Sequence, residues 1–290
     1  MITYDPKNWI QLIFALKKSD TFRMLWKELI YIALLSTVIT FLEITFFPQA
    51  QALNSLISVY SLLGFVISLL LVFRTNTAYD RWWEGRKIWG QLINDSRNLS
   101  IKLSSFQLTP DERVFFARMI PNFAFASKEH LRQGVDLTLL ELTDEEMIKF
   151  ASKSHIPVYV MQLITQKIEL IKKEMRITNE DYLVLSKNIN SLIDGIGACE
   201  RIKATPIPFS YSMFIKKFIF IYVISLPLAF VNIFEYWAAF ISTFVFYALV
   251  SMEVLAEEIE DPFGEDDNDL PTDNIADKIK QNCQEVLEVN

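Results

Sequence analysis

The chain has 290 residues, 51% hydrophobic and 22% charged, with 23 Phe, seven Gly and a net charge of −7. Many Phe and few Gly favour helices over turn-rich β architecture, and the negative charge gives no basis for a nucleic-acid partner. Cys199 and Cys283 lie far apart and read as buried or reduced thiols rather than a disulfide framework.

The opening "MITYDPKNW" is polar, so no cleavable secretory signal is expected. Residues 1–28 form an N-terminal segment, and Leu29–Phe47 is the first run long and apolar enough to cross a bilayer. It carries Glu43, an intramembrane acid and so a functional candidate by default, although a place near the outer end suits snorkelling to the interface. Leu53–Phe73 is the second run. On it Phe65, Leu69 and Phe73 are spaced i, i+4, i+8 and share a helical stripe. Asn76 and Asp80 continue that stripe inward, and Ser58 and Ser61 lie near it on the outer side. A polar–apolar–polar face suits a helix lining a hole gated by dewetting. On spacing alone, ordinary packing or lipid-facing residues are the better reading, since every transmembrane helix has such stripes. Arg74, just beyond, reads as an interface anchor.

Residues 74–217 mix polar and apolar positions at helical spacing, without sustained alternation or repeats. Thr109 with Pro110 and Asp111, Thr143 with the acids after it, and Thr178 with Asp181 three residues on are helix starts. Pro206 and Pro208 break the last of these helices. These helices are expected to form one unit with the spans. His130 and His155 fall in different helical stretches without metal-ligand spacing and read as surface residues. No phosphate loop or nucleophile motif accompanies them, so an enzyme is not expected.

Phe218–Phe234, interrupted by Pro227, and Trp237–Leu255 are the third and fourth runs. Residues 256–290 form an acidic C-terminal segment. Lys17, Lys18, Arg23 and Lys27 precede the first span, Arg74, Arg81, Arg86 and Lys87 follow the second, and Lys216 and Lys217 precede the third. The proposed outer loops, Pro48–Ala52 and Glu235–Tyr236, carry no Lys or Arg. The positive-inside rule then puts both termini and residues 74–217 in the cytoplasm of a multi-pass protein of the cell (inner) membrane. The fold class is an all-α membrane protein with four transmembrane helices and a helical cytoplasmic region.

"FRTNTAYDRWWEGRKIWG" (73–90), "ACERIKATPIPFSY" (198–211) and "AEEIEDPFGEDDNDLP" (256–271), in this order and spacing, resemble the bestrophins in their bacterial branch. The resemblance covers nearly the whole chain. It implies a homopentameric ion channel with one axial pore, whose neck is lined by three apolar rings at the positions of Phe65, Leu69 and Phe73. It also implies a second constriction at the cytoplasmic mouth. Matching back from "ACERI" puts Glu180 there, beside Thr178 and Asn179. That departs from the family's apolar pattern, and a ring of carboxylates would favour cations. A first-turn acid stabilised by the helix dipole is the other reading of Glu180.

In animal bestrophins the acidic segment clasps calcium. The matching positions are Glu258, Asp261, Asp266 and Asp269, with a backbone carbonyl of the N-terminal segment, and they imply a divalent cation (Ca2+ or Zn2+) without any required cofactor. Asp261 stands where animal members carry Asn, and Glu258 where they carry Gln. A solvated acidic loop is the other reading. The implied partners are four further copies of the chain, the lipid bilayer and small monovalent ions. Na+ is slightly favoured over Cl−, against a chloride channel of the same fold or a non-conducting scaffold or regulatory subunit.

Overall fold

The computed structural model describes residues 21–46 and 56–289. The outer loop at 48–52, Lys17 and Lys18 lie outside these. Among the described residues the secondary structure is helical throughout, without a strand. Helices α1 (Thr21–Phe46), α2 (Leu56–Ser104), α3 (Pro110–Leu131), α4 (Asp144–Ala151), α5 (Ile156–Lys173), α6 (Asn179–Ala204), α7 (Phe209–Phe234), α8 (Trp237–Glu260) and α9 (Thr272–Val286) follow one another, with a 3-10 turn at Leu137–Leu139 between α3 and α4. The chain divides into two compact units.

The first unit holds the described residues up to Trp82, together with Pro206–Asp261 and Asp266–Asn268. Its helices are α1, the first part of α2, α7 and α8. Ile32, Ile67, Leu71, Ile215, Ile219, Val223, Leu226 and Phe246 form its core. The outward faces are just as apolar: Tyr31, Leu34, Phe41, Leu62, Ile221, Phe240 and Phe244 are all exposed. In water so large an apolar surface would drive association, whereas in hydrocarbon it is the favoured surface. Four helices here are long and apolar enough to cross a membrane. Helix α7 continues through Pro227. It ends at Glu235, whose positive φ of 46° and N–H bond to Val231 O turn the chain straight into α8.

Helix α2 has 49 residues. At 1.5 Å per residue it is about 74 Å long, more than twice the roughly 30 Å of bilayer hydrocarbon. The apolar stretch up to Phe73 is therefore only its first part.

The second unit comprises Trp83–Thr205, Pro262–Glu265 and residues from Asp269 on. Helix α3 is its centre: Phe116, Met119, Ile120, Phe123, Ala124 and Ala126 are buried against α5, α6 and α9. All three expected helix starts carry full capping boxes, Thr109 with Glu112, Thr143 with Glu146 and Thr178 with Asp181. Each satisfies two N–H groups that the first helical turn would leave unpaired. Helix α9 buries Ile275, Ala276, Ile279 and Cys283 on one face.

The chain was expected to form one unit, and it divides into two compact ones. Residues 74–82 belong with the apolar helices, because the basic residues there bind the end of α8. Arg74 pairs with Glu253 and Glu260, and Arg81 Nε donates to Glu260 O at 3.0 Å.

Candidate ion pathway

Helix α2 has two opposed faces in the first unit. Ile67, Leu71, Arg74 and Ala78 are buried. At 100° per residue, Phe65, Leu69 and Phe73 fall on the other side, within an arc of about 80°. They are 66%, 44% and 55% exposed. Asn76 and Asp80 continue the same exposed face. Gly64 sets how closely α2 meets α7, because a Cβ there would lie 2.6 Å from Tyr222 Oη. The result is an apolar stripe leading into polar groups, held outward by a packed opposite face.

Arg74 is not an interface anchor. It is 1% exposed, with Nη2 2.6 Å from Glu260 Oε2 and Nε 3.6 Å from Glu253 Oε2. Glu260 Oε1 also accepts Ile207 N–H at 2.6 Å, so this carboxylate ties α2, α8 and the start of α7 together. Removing one partner of such a buried pair strands the other charge. Glu43 does not snorkel either. It lies on the buried face of α1 with Ile32, Ser36 and Thr40. Helix α1 packs on α8, whose Ala238, Ala239 and Ser242 are buried. The small α8 residues leave room for a polar α1 face that hydropathy alone does not reveal.

In the second unit Glu180 is exposed in the first turn of α6. The capping box uses its neighbour instead: Thr178 Oγ1 accepts Asp181 N–H at 3.1 Å and Asp181 Oδ2 accepts Thr178 N–H at 3.0 Å. Glu180 takes no part in that box and lies exposed beside a helix N-terminus.

The acidic segment is folded in both units. In the first, Glu258 Oε2 accepts from Asn268 Nδ2, Trp82 Nε1 donates to Asn268 O at 3.0 Å, and Asp261 caps the end of α8. In the second, Asp269 is 2% exposed and leaves no room for a Cβ at Gly264, 2.7 Å from Asp269 Oδ2. The segment offers hard oxygen donors of the kind Ca2+ takes, with the Asn268 amide already on Glu258. The N-terminal carbonyl expected to complete the set lies outside the described residues.

The thiols of Cys199 and Cys283 are free and buried. Burial pushes Cys199 up to about 12 and Cys283 to about 11, which leaves both unreactive. The two histidines are not isolated surface residues. His130 and His155, 25 positions apart in sequence, meet at Glu200. Sequence spacing carries no signal for this meeting, because it is made by three separate helices.

A helical chain with four helices long and apolar enough to cross a membrane, the second running on far past bilayer thickness, has the build of a multi-span membrane protein. The chain belongs to the bacterial and fungal bestrophin family, whose model matches residues 1–285. A voltage-dependent anion channel-forming protein of Nostoc sp. is 32% identical over 297 residues, covering 100% of this chain and 95% of that protein. One from Salmonella typhi is 30% identical, covering 97% and 92%. The crystal structure of a bacterial bestrophin homologue from Klebsiella pneumoniae superposes with a TM-score of 0.82 at 26% identity, covering 90% of this chain and 98% of that one. The family is one of ion channels.

Proposed function

We propose that this protein is a homopentameric channel of the cell (inner) membrane. In this reading monovalent ions pass an apolar neck of Phe65, Leu69 and Phe73, then a vestibule bearing Asn76 and Asp80, then an aperture at Glu180. The observation that carries the reading is the exposed stripe on α2 opposite its packed face. One helix cannot enclose a hole, so such a stripe lines a pore only when copies surround an axis. Both termini are assigned to the cytoplasm by the basic residues flanking the spans.

On selectivity the reading is a modest preference for Na+, supported by the exposed Glu180 carboxylate and the net charge of −7. Relatives named as anion channel-forming proteins favour the second reading, a chloride-conducting channel. For the acidic segment the proposal is a divalent-cation site on Glu258, Asp261, Asp266 and Asp269. If it holds, calcium stabilises the purified protein against heat and does so less in Asp266→Asn.

Purified protein in a planar bilayer under a salt gradient tests the channel. Single-channel steps are expected, with a reversal potential on the cation side that moves towards the anion side in Glu180→Ala. An anion reversal in the wild type selects the second reading, and a silent bilayer with intact oligomers defeats both. Leu69→Ala is expected to raise conductance or open probability by widening the apolar ring. Wild-type behaviour in Leu69→Ala, Phe65→Ala and Phe73→Ala would take the neck away from this face.

A further inference from the structure

The second unit brings together a side-chain set that no part of the ion path uses. His130 stands in the last turn of α3, His155 is the N-cap of α5, and Glu200 projects from α6. His130 Nε2 and His155 Nε2 each lie 2.7 Å from the same oxygen, Glu200 Oε1. The rings are tilted with centroids 4.4 Å apart, and the three ligand atoms all fall within 4.8 Å of one another. The side chains are 27%, 34% and 35% exposed, so an ion can reach them from water.

We propose that His130, His155 and Glu200 bind a divalent transition-metal ion, with Zn2+ the best match. Two imidazoles and one carboxylate are borderline-to-hard donors suited to Zn2+ and poorly suited to Ca2+ or Mg2+, which take oxygen ligands. Zn–N and Zn–O bonds of about 2.0–2.2 Å put tetrahedral ligand atoms roughly 3.3 Å apart. The two imidazole–carboxylate distances of 2.7 Å must open by about half an ångström, which the partly exposed side chains reach by small torsions. Three protein ligands leave a fourth position for water.

Coordination has a definite proton consequence. His155 Nδ1 accepts Val158 N–H at 3.3 Å, so the neutral ring carries its proton on Nε2 and donates it to Glu200. Binding through Nε2 moves that proton to Nδ1 and frees the Val158 N–H, at the cost of one long hydrogen bond. In return the ion joins the end of α3, the start of α5 and the body of α6 through one centre. The inference does not rest on the ion-path reading, since none of the three residues belongs to it.

The test uses the full-length protein in detergent, stripped with EDTA and then titrated with Zn2+ by calorimetry and with Co2+ by visible spectroscopy. One Zn2+ per chain that excess Ca2+ does not displace and that Asp266→Asn retains, with the strong bands of tetrahedral Co2+, is expected. A His130→Ala/His155→Ala double variant and Glu200→Gln should each weaken binding by about tenfold or more. Circular dichroism and oligomer elution check folding, and a His130→Gln/His155→Gln pair, which keeps hydrogen-bonding side chains, replaces the alanine pair if that fails to fold. Excess Ca2+ should leave the bound Zn2+ in place. A wild type that takes up no Zn2+, variants that bind as well as wild type, or displacement by Ca2+ would each overturn the proposal.

Discussion

Glu112 concentrates three interactions on one carboxylate. Arg176 grips it with both guanidinium ends, Nη2 to Oε1 at 2.6 Å and Nη1 to Oε2 at 2.7 Å, and Thr109 N–H adds a bond at 2.9 Å. The Arg176 hydrogen bonds are the main reason its pKa is held down at about 2. Asp273 is also held at about 2, by Arg132 foremost and by Lys128. Both carboxylates are depressed on folding. Their stabilisation is therefore complete above the unfolded values of 4.5 and 3.8 and is lost as pH falls towards 2. The second unit is expected to lose thermal stability steeply between about pH 4.5 and 2. Glu112→Gln should cost about 1–3 kcal/mol at neutral pH and flatten part of that acid slope. Melting followed by circular dichroism across this range checks both, and a wild-type curve that stays level down to pH 2.5 would count against the pairing.

At the scale of whole elements, the part read best from sequence was the part written locally. Three capping boxes were legible because a cap and its partner lie three residues apart. The four long apolar helices were legible because a long uncharged run is what hydrocarbon selects. Their helices begin or end beyond the apolar runs: α1 starts at Thr21 rather than Leu29, α7 at Phe209 rather than Phe218, and α2 continues to Ser104. Hydropathy marks the membrane, whereas the helix continues until a breaker stops it. Hidden from sequence were the contacts between distant helices, namely burial of Arg74, burial of Glu43 and the meeting of His130, His155 and Glu200. Gly64 belongs to the same group, since only the packed structure shows Tyr222 above it. Gly64→Ala is expected to displace the Tyr222 hydroxyl, now 3.2 Å from Tyr60 O, and to cost about 1–3 kcal/mol. Thermal unfolding in detergent measures the loss. Adding Tyr222→Phe, which removes the clashing oxygen, should recover part of it, and a harmless single substitution would mean the two helices part easily.

For the molecule as a whole, membrane orientation is the property that sequence charge argues and packing does not. The basic residues at 74–87 and 216–217 flank the spans on the side assigned to the cytoplasm. If that is right, the turn at Tyr236 faces outward and the α4 surface at Glu145 faces the cytoplasm. The native protein is a ready background for testing this, because both cysteines are fully buried and their thiols are pushed up to about 12 and 11. Thiolate, the form that reacts with a maleimide, is scarce there at neutral pH. Tyr236→Cys, at a residue 58% exposed, should label in intact cells with a membrane-impermeant maleimide. Glu145→Cys should label only after the membrane is opened, and the wild type should stay unlabelled throughout. The reverse pattern would invert the topology, and with it the placement of Glu180 and Asp80 on the cytoplasmic side of the neck. Labelling of both sites in intact cells would leave no bilayer between α4 and the α7–α8 turn, so the four-span arrangement itself would fall.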